Sequence, residues 1–231
     1  DSPAVHAGDE SVLIARRTGA PVVVGRDRAD AARHLLRCFP DVRVIVSDDG
    51  LQHLALRRDL EICVFDDRGL GNGWLLPAGP LREAWPRAVD LVVHTGERPA
   101  FPGARAHRHL APSAVRADGT RRRLDTFVSE PAVALAGIAH PDRFFQMLRA
   151  AGVTLKETVS LPDHYDFDSA SHLFGEGFHL FCTEKDAVKL WGRQPEAWAV
   201  PLELTLAQDW LAHFDSLLDA KLSSRDGSQT S

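Results

Sequence analysis

Apolar residues along the 231-residue chain occur in two patterns, short continuous runs and runs in which they recur every three or four positions. Short continuous runs are typical of strands that are covered on both faces. They predict strands at 21–25, 42–47, 60–65, 89–96, 132–139, 179–183 and 198–206. Pro201 cannot donate a ladder hydrogen bond, so the last of these strands should lie at an edge or contain a bulge.

The second pattern predicts helices. In the first helix, Asp9 and Glu10 lie in the first turn and Gly19 follows the last, as the helix dipole and a glycine stop favour. Thr183 is the expected N-cap of another, with Asp186 three residues later. The predicted helices cover 8–19, 28–39, 140–152, 183–191 and 209–222. Strands that alternate with helices indicate an α/β fold with a mainly parallel sheet.

The alternation of predicted strands and helices is interrupted between residues 97 and 128, where Pro and Arg become frequent. Asp118-Gly119 within "RADGTRRR" predicts a β-hairpin. We therefore predict a core domain at 1–128 that ends in a hairpin linker at about 97–128, and a smaller C-terminal α/β domain at 129–231.

Composition narrows the functional classes. A hydrophobic content of 44% supports a sizeable core, and a net charge of −5 argues against a nucleic-acid partner. The three cysteines are far apart and should be reduced thiols, as in a cytosolic protein. No apolar run is long enough for a membrane span. The chain does not begin with Met, and we expect that an N-terminal segment is missing.

Asp48 and Asp49 follow the predicted strand 42–47 directly. Carboxylates at the carboxyl end of a strand in an α/β sheet are well placed to hold Mg²⁺ beside a nucleotide phosphate. Asp-Asp-Gly is also good turn chemistry, so a purely structural role is the alternative. The polar residues that follow, Gln52 and His53, favour function.

Three other stretches allow both a structural and a chemical interpretation. Asp9 and Glu10 begin a helix, where carboxylates often serve only as caps. The glycine-rich segment 66–83 lets backbone amides approach a ligand, although its Arg82 and Glu83 could be a surface pair. His164 lies between two aspartates in "LPDHYDF", a pattern that also occurs in ordinary polar loops.

Taken in order, these stretches resemble the tetraacyldisaccharide 4′-kinases, which phosphorylate the lipid A precursor of Gram-negative bacteria. The matching segments are "GDE…LIARRTGAPVVVGRDR", "SDDGLQH", "RGLGNGWLLPAGPLRE", "LAGIAHPDRFF", "LPDHYDF" and "TEKDAVKL". Several are weak alone, but in series from Gly8 to about Leu190 they are highly specific.

The resemblance implies a P-loop-kinase-like α/β core joined by a two-stranded linker to a smaller α/β domain. It implies transfer of the γ-phosphate of ATP, with Mg²⁺, to the 4′-hydroxyl of a tetraacylated glucosamine disaccharide 1-phosphate. The enzyme would associate peripherally with the cytoplasmic face of the inner membrane.

The resemblance also implies roles for individual residues. Asp9 looks like the catalytic base and His164 like its partner, and on the predicted division they lie in different domains. Asp48 and Asp49 look like the Walker B acids that hold Mg²⁺, with Gln52 beside the nucleotide. The residues in motifs that line the substrate cleft are Glu10, His53, Asn72, Arg82 and Glu83.

Two features depart from the family pattern. No GxxxxGK[ST] phosphate loop occurs in the 231 residues, so we expect little activity from this chain alone. Ser11 stands where the family usually has proline after GDE. Two alternatives stay open. One is a non-catalytic fragment or paralogue that binds nucleotide or lipid. The other is a metal-dependent hydrolase that uses Asp48, Asp49 and His53.

Overall fold

The computed structural model describes residues 8–99, 101–163, 165, 167 and 177–226, and it has an α/β architecture. The helices are α1 (Asp9–Thr18), α2 (Arg28–Cys38), α3 (Pro141–Ala150), α4 (Glu184–Leu190) and α5 (Gln208–Asp226), with a 3₁₀ turn at Leu124–Phe127. The strands are β1 (Ile62–Phe65), β2 (Leu91–His94), β3 (Ala104–Arg105), β4 (His107–Leu110), β5 (Ser113–Val115), β6 (Arg121–Arg123), β7 (Ala132–Ala136), β8 (Leu155–Ser160), β9 (His179–Thr183), β10 (Trp198–Val200) and β11 (Leu202–Thr205).

The chain divides into two compact units. Unit 1 comprises residues 1–24 and 109–203, and unit 2 comprises 25–108 and 204–231. Strands β4 and β11 pair to form a two-stranded sheet. The chain changes units within each of them, after residue 108 in β4 and after residue 203 in β11. The predicted boundary after residue 128 does not coincide with this division, because α1 and the segment from 109 onwards both belong to unit 1.

Unit 1 is built on a six-stranded sheet in the order β6-β5-β10-β9-β7-β8. Strands β8, β7, β9 and β10 run parallel, and the antiparallel hairpin β5-β6 extends the sheet from β10. Leu135, Phe127 and Phe181 are fully buried in its core. This sheet confirms the prediction of a mainly parallel α/β fold.

Unit 2 contains a three-stranded parallel sheet in the order β1-β2-β3. An aromatic cluster packs beside it, with the rings of Phe65 and Phe101 4.4 Å apart and those of Phe65 and Trp85 4.8 Å apart. Unit 2 buries fewer of its apolar side chains than unit 1 does. Val64 in β1, for example, is 59% exposed.

Most predicted elements form, but two predicted strands are wrong. Segments 21–25 and 42–47 lie outside every strand of the described structure. A strand needs a hydrogen-bonded neighbour, and the apolar side chains of these segments stay exposed, up to 89% at Val46. Strand β8 had not been predicted, because its alternating polar residues mark an edge strand that is open on one face.

The predicted hairpin is confirmed, since β5-β6 turns at Asp118-Gly119, where Gly119 has a φ of 85°. Pro201 divides the predicted strand 198–206 into β10 and β11, and β10 lies inside the six-stranded sheet instead of at its edge. All three cysteines are free thiols, and burial raises the pKa of Cys182 well above its usual value. Among the described helices, none has the length and apolar character that a membrane span requires.

Candidate functional site

The first turn of α1 presents the carboxylate of Asp9 in a buried position. Its side chain is only 6% exposed, and its Oδ2 lies 2.7 Å from Nζ of Lys189 in α4. Gly8 occupies the N-cap position of α1, and no side chain caps this helix. The capping interpretation therefore does not describe Asp9, although its charge still complements the helix dipole.

Two lysines one turn apart on α4 connect three parts of unit 1. Lys185 lies 3.0 Å from Asp163 and 3.7 Å from Glu10. Lys189 contacts Asp9 and also donates to the carbonyl oxygen of Tyr165 at 3.4 Å. Residues four apart share one helix face, so α4 links the start of α1 to the loop that follows β8.

His164 lies outside the described residues, but its neighbours Asp163 and Tyr165 are described. Both belong to unit 1, as does Asp9. The expectation that Asp9 and His164 belong to different domains is thus not supported by the division of the chain. The reason is that α1 packs on α4, where Arg17 pairs with Glu184 and Asp9 pairs with Lys189.

Asp186 connects the N-terminus of α4 to the end of β7 through hydrogen bonds. Its two carboxylate oxygens each accept a hydrogen bond from the Gly137 amide at 3.1 Å, and Thr183 donates to it at 2.6 Å. Burial raises its pKa, while the hydrogen bonds from Thr183 and Gly137 oppose that rise. A Cβ at residue 137 would lie 2.8 Å from the carboxylate, so glycine is required there. Thr183 is the N-cap, as predicted.

In unit 2, Asp48 and Asp49 form the centre of an exposed turn. Asp49 has a φ of 50°, an uncommon value for a residue other than glycine. The predicted strand before them is absent, and residues 42–47 belong to no helix or strand. Neither carboxylate makes a salt bridge with a described residue, and their like charges are adjacent along the chain.

The polar residues after this turn belong to a short network. Gln52 donates to Glu83 at 3.0 Å, and Glu83 pairs with Arg87 at 3.2 Å. His53 is half-buried, and its amide donates to the carbonyl of Gly50 at 3.0 Å. Of the predicted residues in unit 2, the structure therefore brings Gln52 and Glu83 into contact.

The glycine-rich segment 66–83 contains a loop that is held by hydrogen bonds from the Asn72 side chain. Asn72 donates to the carbonyl of Ala78 at 2.9 Å and accepts from the Trp74 amide at 3.1 Å. A Cβ at Gly79 would lie 2.1 Å from the Asn72 side chain, which explains that glycine. Asn72 thus has a structural task, and the loop presents Trp74 (67% exposed) and the following Leu75 and Leu76 to solvent.

Metal binding can be judged from the donor sets. Among the described residues, no group of three or more His, Cys, Asp or Glu side chains could hold a metal ion. The hydrolase alternative would need a complete protein site from Asp48, Asp49 and His53. Mg²⁺ beside a nucleotide has a smaller requirement, because one or two carboxylates suffice when phosphates and water supply the remaining ligands. Asp48 and Asp49 fit that requirement.

Comparison with known proteins decides the family. The family model described as tetraacyldisaccharide-1-P 4′-kinase (LpxK) matches residues 1–222. The chain belongs to the tetraacyldisaccharide 4′-kinase family. The 4′-kinase of Polaromonas sp. strain JS666 is 52% identical over 230 residues, covering 96% of this chain and 68% of that protein. That of Acidovorax ebreus strain TPSY is 53% identical, covering 98% of this chain and 67% of that protein.

A solved structure supports the same conclusion. The chain resembles the crystal structure of "apo" form LpxK from Aquifex aeolicus in complex with ATP, with a TM-score of 0.79 and 27% identity. The match covers 96% of this chain and 71% of that one. The predicted α/β fold and the predicted 4′-kinase family are confirmed.

Sequence reasoning missed Lys185 and Lys189 as members of the site. The signal was available, since both belong to the segment "TEKDAVKL" that carries the family resemblance and are spaced four apart. Two lysines on one face of a short helix usually extend their charged ends into solvent. The sequence does not show that α1 packs against this face of α4.

Proposed function

We propose that this chain carries out 4′-phosphorylation of a tetraacylated glucosamine disaccharide 1-phosphate with ATP as the donor, in lipid A biosynthesis. The observation that carries the proposal is the buried Asp9 carboxylate at the start of α1, held at 2.7 Å by Lys189 in a member of this kinase family. The ATP complex of the Aquifex aeolicus relative supports the choice of donor.

In the proposed reaction Asp9 is the general base. It accepts the proton of the 4′-hydroxyl while the sugar oxygen bonds to the γ-phosphorus, and the bond from that phosphorus to the ADP oxygen breaks with its electron pair on ADP. His164 is proposed to orient or tune Asp9. The position of Asp163 and Tyr165 beside the lysines that contact Glu10 and Asp9 is consistent with this role.

Asp48 and Asp49 are proposed to hold Mg²⁺. When bound, the ion would neutralise phosphate charge. Gln52 is proposed to contact the nucleotide. The residues proposed to bind the lipid disaccharide are Glu10, His53, Asn72, Arg82 and Glu83.

We also propose a peripheral association with the cytoplasmic face of the inner membrane. An acylated substrate is presented by a lipid surface, and the loop that exposes Trp74, Leu75 and Leu76 lies between two proposed substrate residues, Asn72 and Arg82. Tryptophan with neighbouring leucines is typical of protein surfaces that meet the headgroup region.

A phosphate-transfer assay tests the proposal. The 231-residue chain and the complete product of its gene are compared with the acylated disaccharide 1-phosphate, ATP and Mg²⁺. We expect phosphorylation at the 4′-position by the complete product and little by the chain alone, since no phosphate-loop motif occurs within it. Nucleotide or lipid binding without any transfer by the complete product would favour the non-catalytic alternative. Phosphate release that requires metal but no ATP would favour the hydrolase alternative.

A further inference from the structure

We propose that Lys189 is a positioning residue for the phosphoryl-transfer step, and that it acts by holding the Asp9 carboxylate in place. This inference rests on the proposed role of Asp9 as the base. Its Nζ lies 2.7 Å from Asp9 Oδ2, a distance typical of a charge-assisted hydrogen bond. The same ammonium group donates to the carbonyl oxygen of Tyr165 at 3.4 Å, so it is held from two sides.

Burial makes such a partner important. The Asp9 side chain is 6% exposed, and a buried carboxylate is costly unless it is paired and hydrogen-bonded. The ammonium group of Lys189 supplies the opposite charge at contact distance.

The bond leaves the carboxylate able to act. An ionised carboxylate offers about four lone-pair positions, and the bond from Lys189 uses one of them. The ammonium group also fixes the orientation of the carboxylate, and positioning is a large part of phosphoryl-transfer catalysis.

Other charged groups lie near Asp9. Glu10 lies next to it on α1, and Lys185 on α4 is shared between Glu10 at 3.7 Å and Asp163 at 3.0 Å. Lys189 contacts Asp9 directly.

A purely structural role is the competing explanation, and the chain offers a matched control. Arg17 pairs with Glu184 at 3.3 Å, so it also joins α1 to α4, at the other end of α1 from Asp9. If Lys189 only fastens the two helices together, loss of either pair should have the same kind of effect.

The experiment compares Lys189→Gln, Lys189→Arg and Arg17→Met in the complete gene product, with melting temperature, kcat and KM for ATP measured for each. For Lys189→Gln we expect kcat to fall about tenfold, with KM for ATP little changed, because the carboxylate loses its fixed position. Lys189→Arg should keep most of the wild-type kcat, and Arg17→Met should keep the wild-type kcat and KM.

The outcomes separate the explanations. A Lys189→Gln enzyme with the wild-type kcat overturns the inference, as does an equal loss of kcat in Arg17→Met. If Lys189→Gln does not fold, Lys189→Arg decides, because a folded Lys189→Arg enzyme with a large loss of kcat contradicts the inference. An Asp9→Asn enzyme that is fully active would instead remove the proposed base, whatever Lys189 does.

Discussion

The two units of the molecule differ in how completely they bury their apolar side chains. In unit 1, Leu135, Phe181 and Leu148 are fully buried around the six-stranded sheet. In unit 2, Val46 and Leu54 are more than 80% exposed, at 89% and 82% respectively. The difference shows that the same apolar patterning forms a core only where the chain supplies the neighbouring strand.

The candidate residues of the two units differ in the same way. Asp9 in unit 1 is buried and ion-paired, whereas Asp48 and Asp49 in unit 2 are exposed and make no salt bridge with a described residue. A carboxylate in a rigid, desolvated position suits proton transfer. Adjacent exposed carboxylates suit a cation that arrives with its nucleotide.

The largest expected effect is a loss of kcat, and its test compares an aspartate at the start of α1 with one at the start of α2. Asp9→Asn in the complete gene product should lower kcat by roughly 10²–10⁴-fold with little change in nucleotide affinity, because an amide cannot accept the sugar proton. Steady-state kinetics and nucleotide-binding measurements check this. Asp27→Asn is the control, because Asp27 does cap α2 by accepting from the Asp30 amide at 2.9 Å.

Asparagine is a good N-cap, so Asp27→Asn should be silent in activity and nearly so in stability. If Asp9→Asn is equally silent, Asp9 has only a structural role. His164→Ala should also act mainly on kcat, and the double variant with Asp9→Asn should lose less than the product of the two single effects.

The second prediction concerns the difference in burial itself. Phe181→Ala, at a fully buried site whose ring lies 5.0 Å from that of Phe127, should lower the free energy of unfolding by about 3–5 kcal/mol. Val64→Ala, at a strand position 59% exposed, should change it by about 0.5 kcal/mol or less. Urea denaturation of the chain checks both. Similar losses in the two variants would show that Val64 is buried in solution and would remove the contrast.

Local chemistry made much of unit 1 predictable from the sequence. The Thr183 cap, the Asp118-Gly119 turn and the interruption at Pro201 each follow from backbone and side-chain properties within a few residues. The strands at 21–25 and 42–47 were wrongly predicted because strand formation depends on a partner elsewhere, which local patterning does not reveal.

The candidate site was predictable in part. Asp9 and Glu10 were identified from a motif, and Gln52 and Glu83 meet in the structure. Lys189 was missed because its importance depends on the packing of α1 against α4, between residues far apart in the sequence. The domain assignment of Asp9 failed to match the observed units for the same reason.

A third prediction tests the exposed carboxylates. Asp48→Ala in the complete gene product should lower Mg²⁺-dependent activity by about 10²-fold, the scale seen when one electrostatic contact to a transition state is removed. The melting temperature without nucleotide should stay the same or rise, because the variant removes one of two adjacent like charges. A large loss of stability with activity intact would establish a structural turn in place of a cation site.

The smallest expected effect is a stabilisation of unit 1 by Glu130 that is lost at acidic pH. The guanidinium group of Arg122, followed by the ring of His179, lowers the pKa of Glu130 from 4.5 to about 2. A carboxyl group whose pKa is lower in the folded chain stabilises the fold above its unfolded pKa, and that stabilisation disappears as the pH falls through the folded pKa. The Glu130 side chain is 40% exposed, so solvent screening keeps the effect small. We expect wild type to melt slightly above Glu130→Gln near neutral pH, with the difference shrinking between pH 4.5 and about 2. Thermal melts of both chains across this range check the prediction, and a difference that grows on acidification would contradict it.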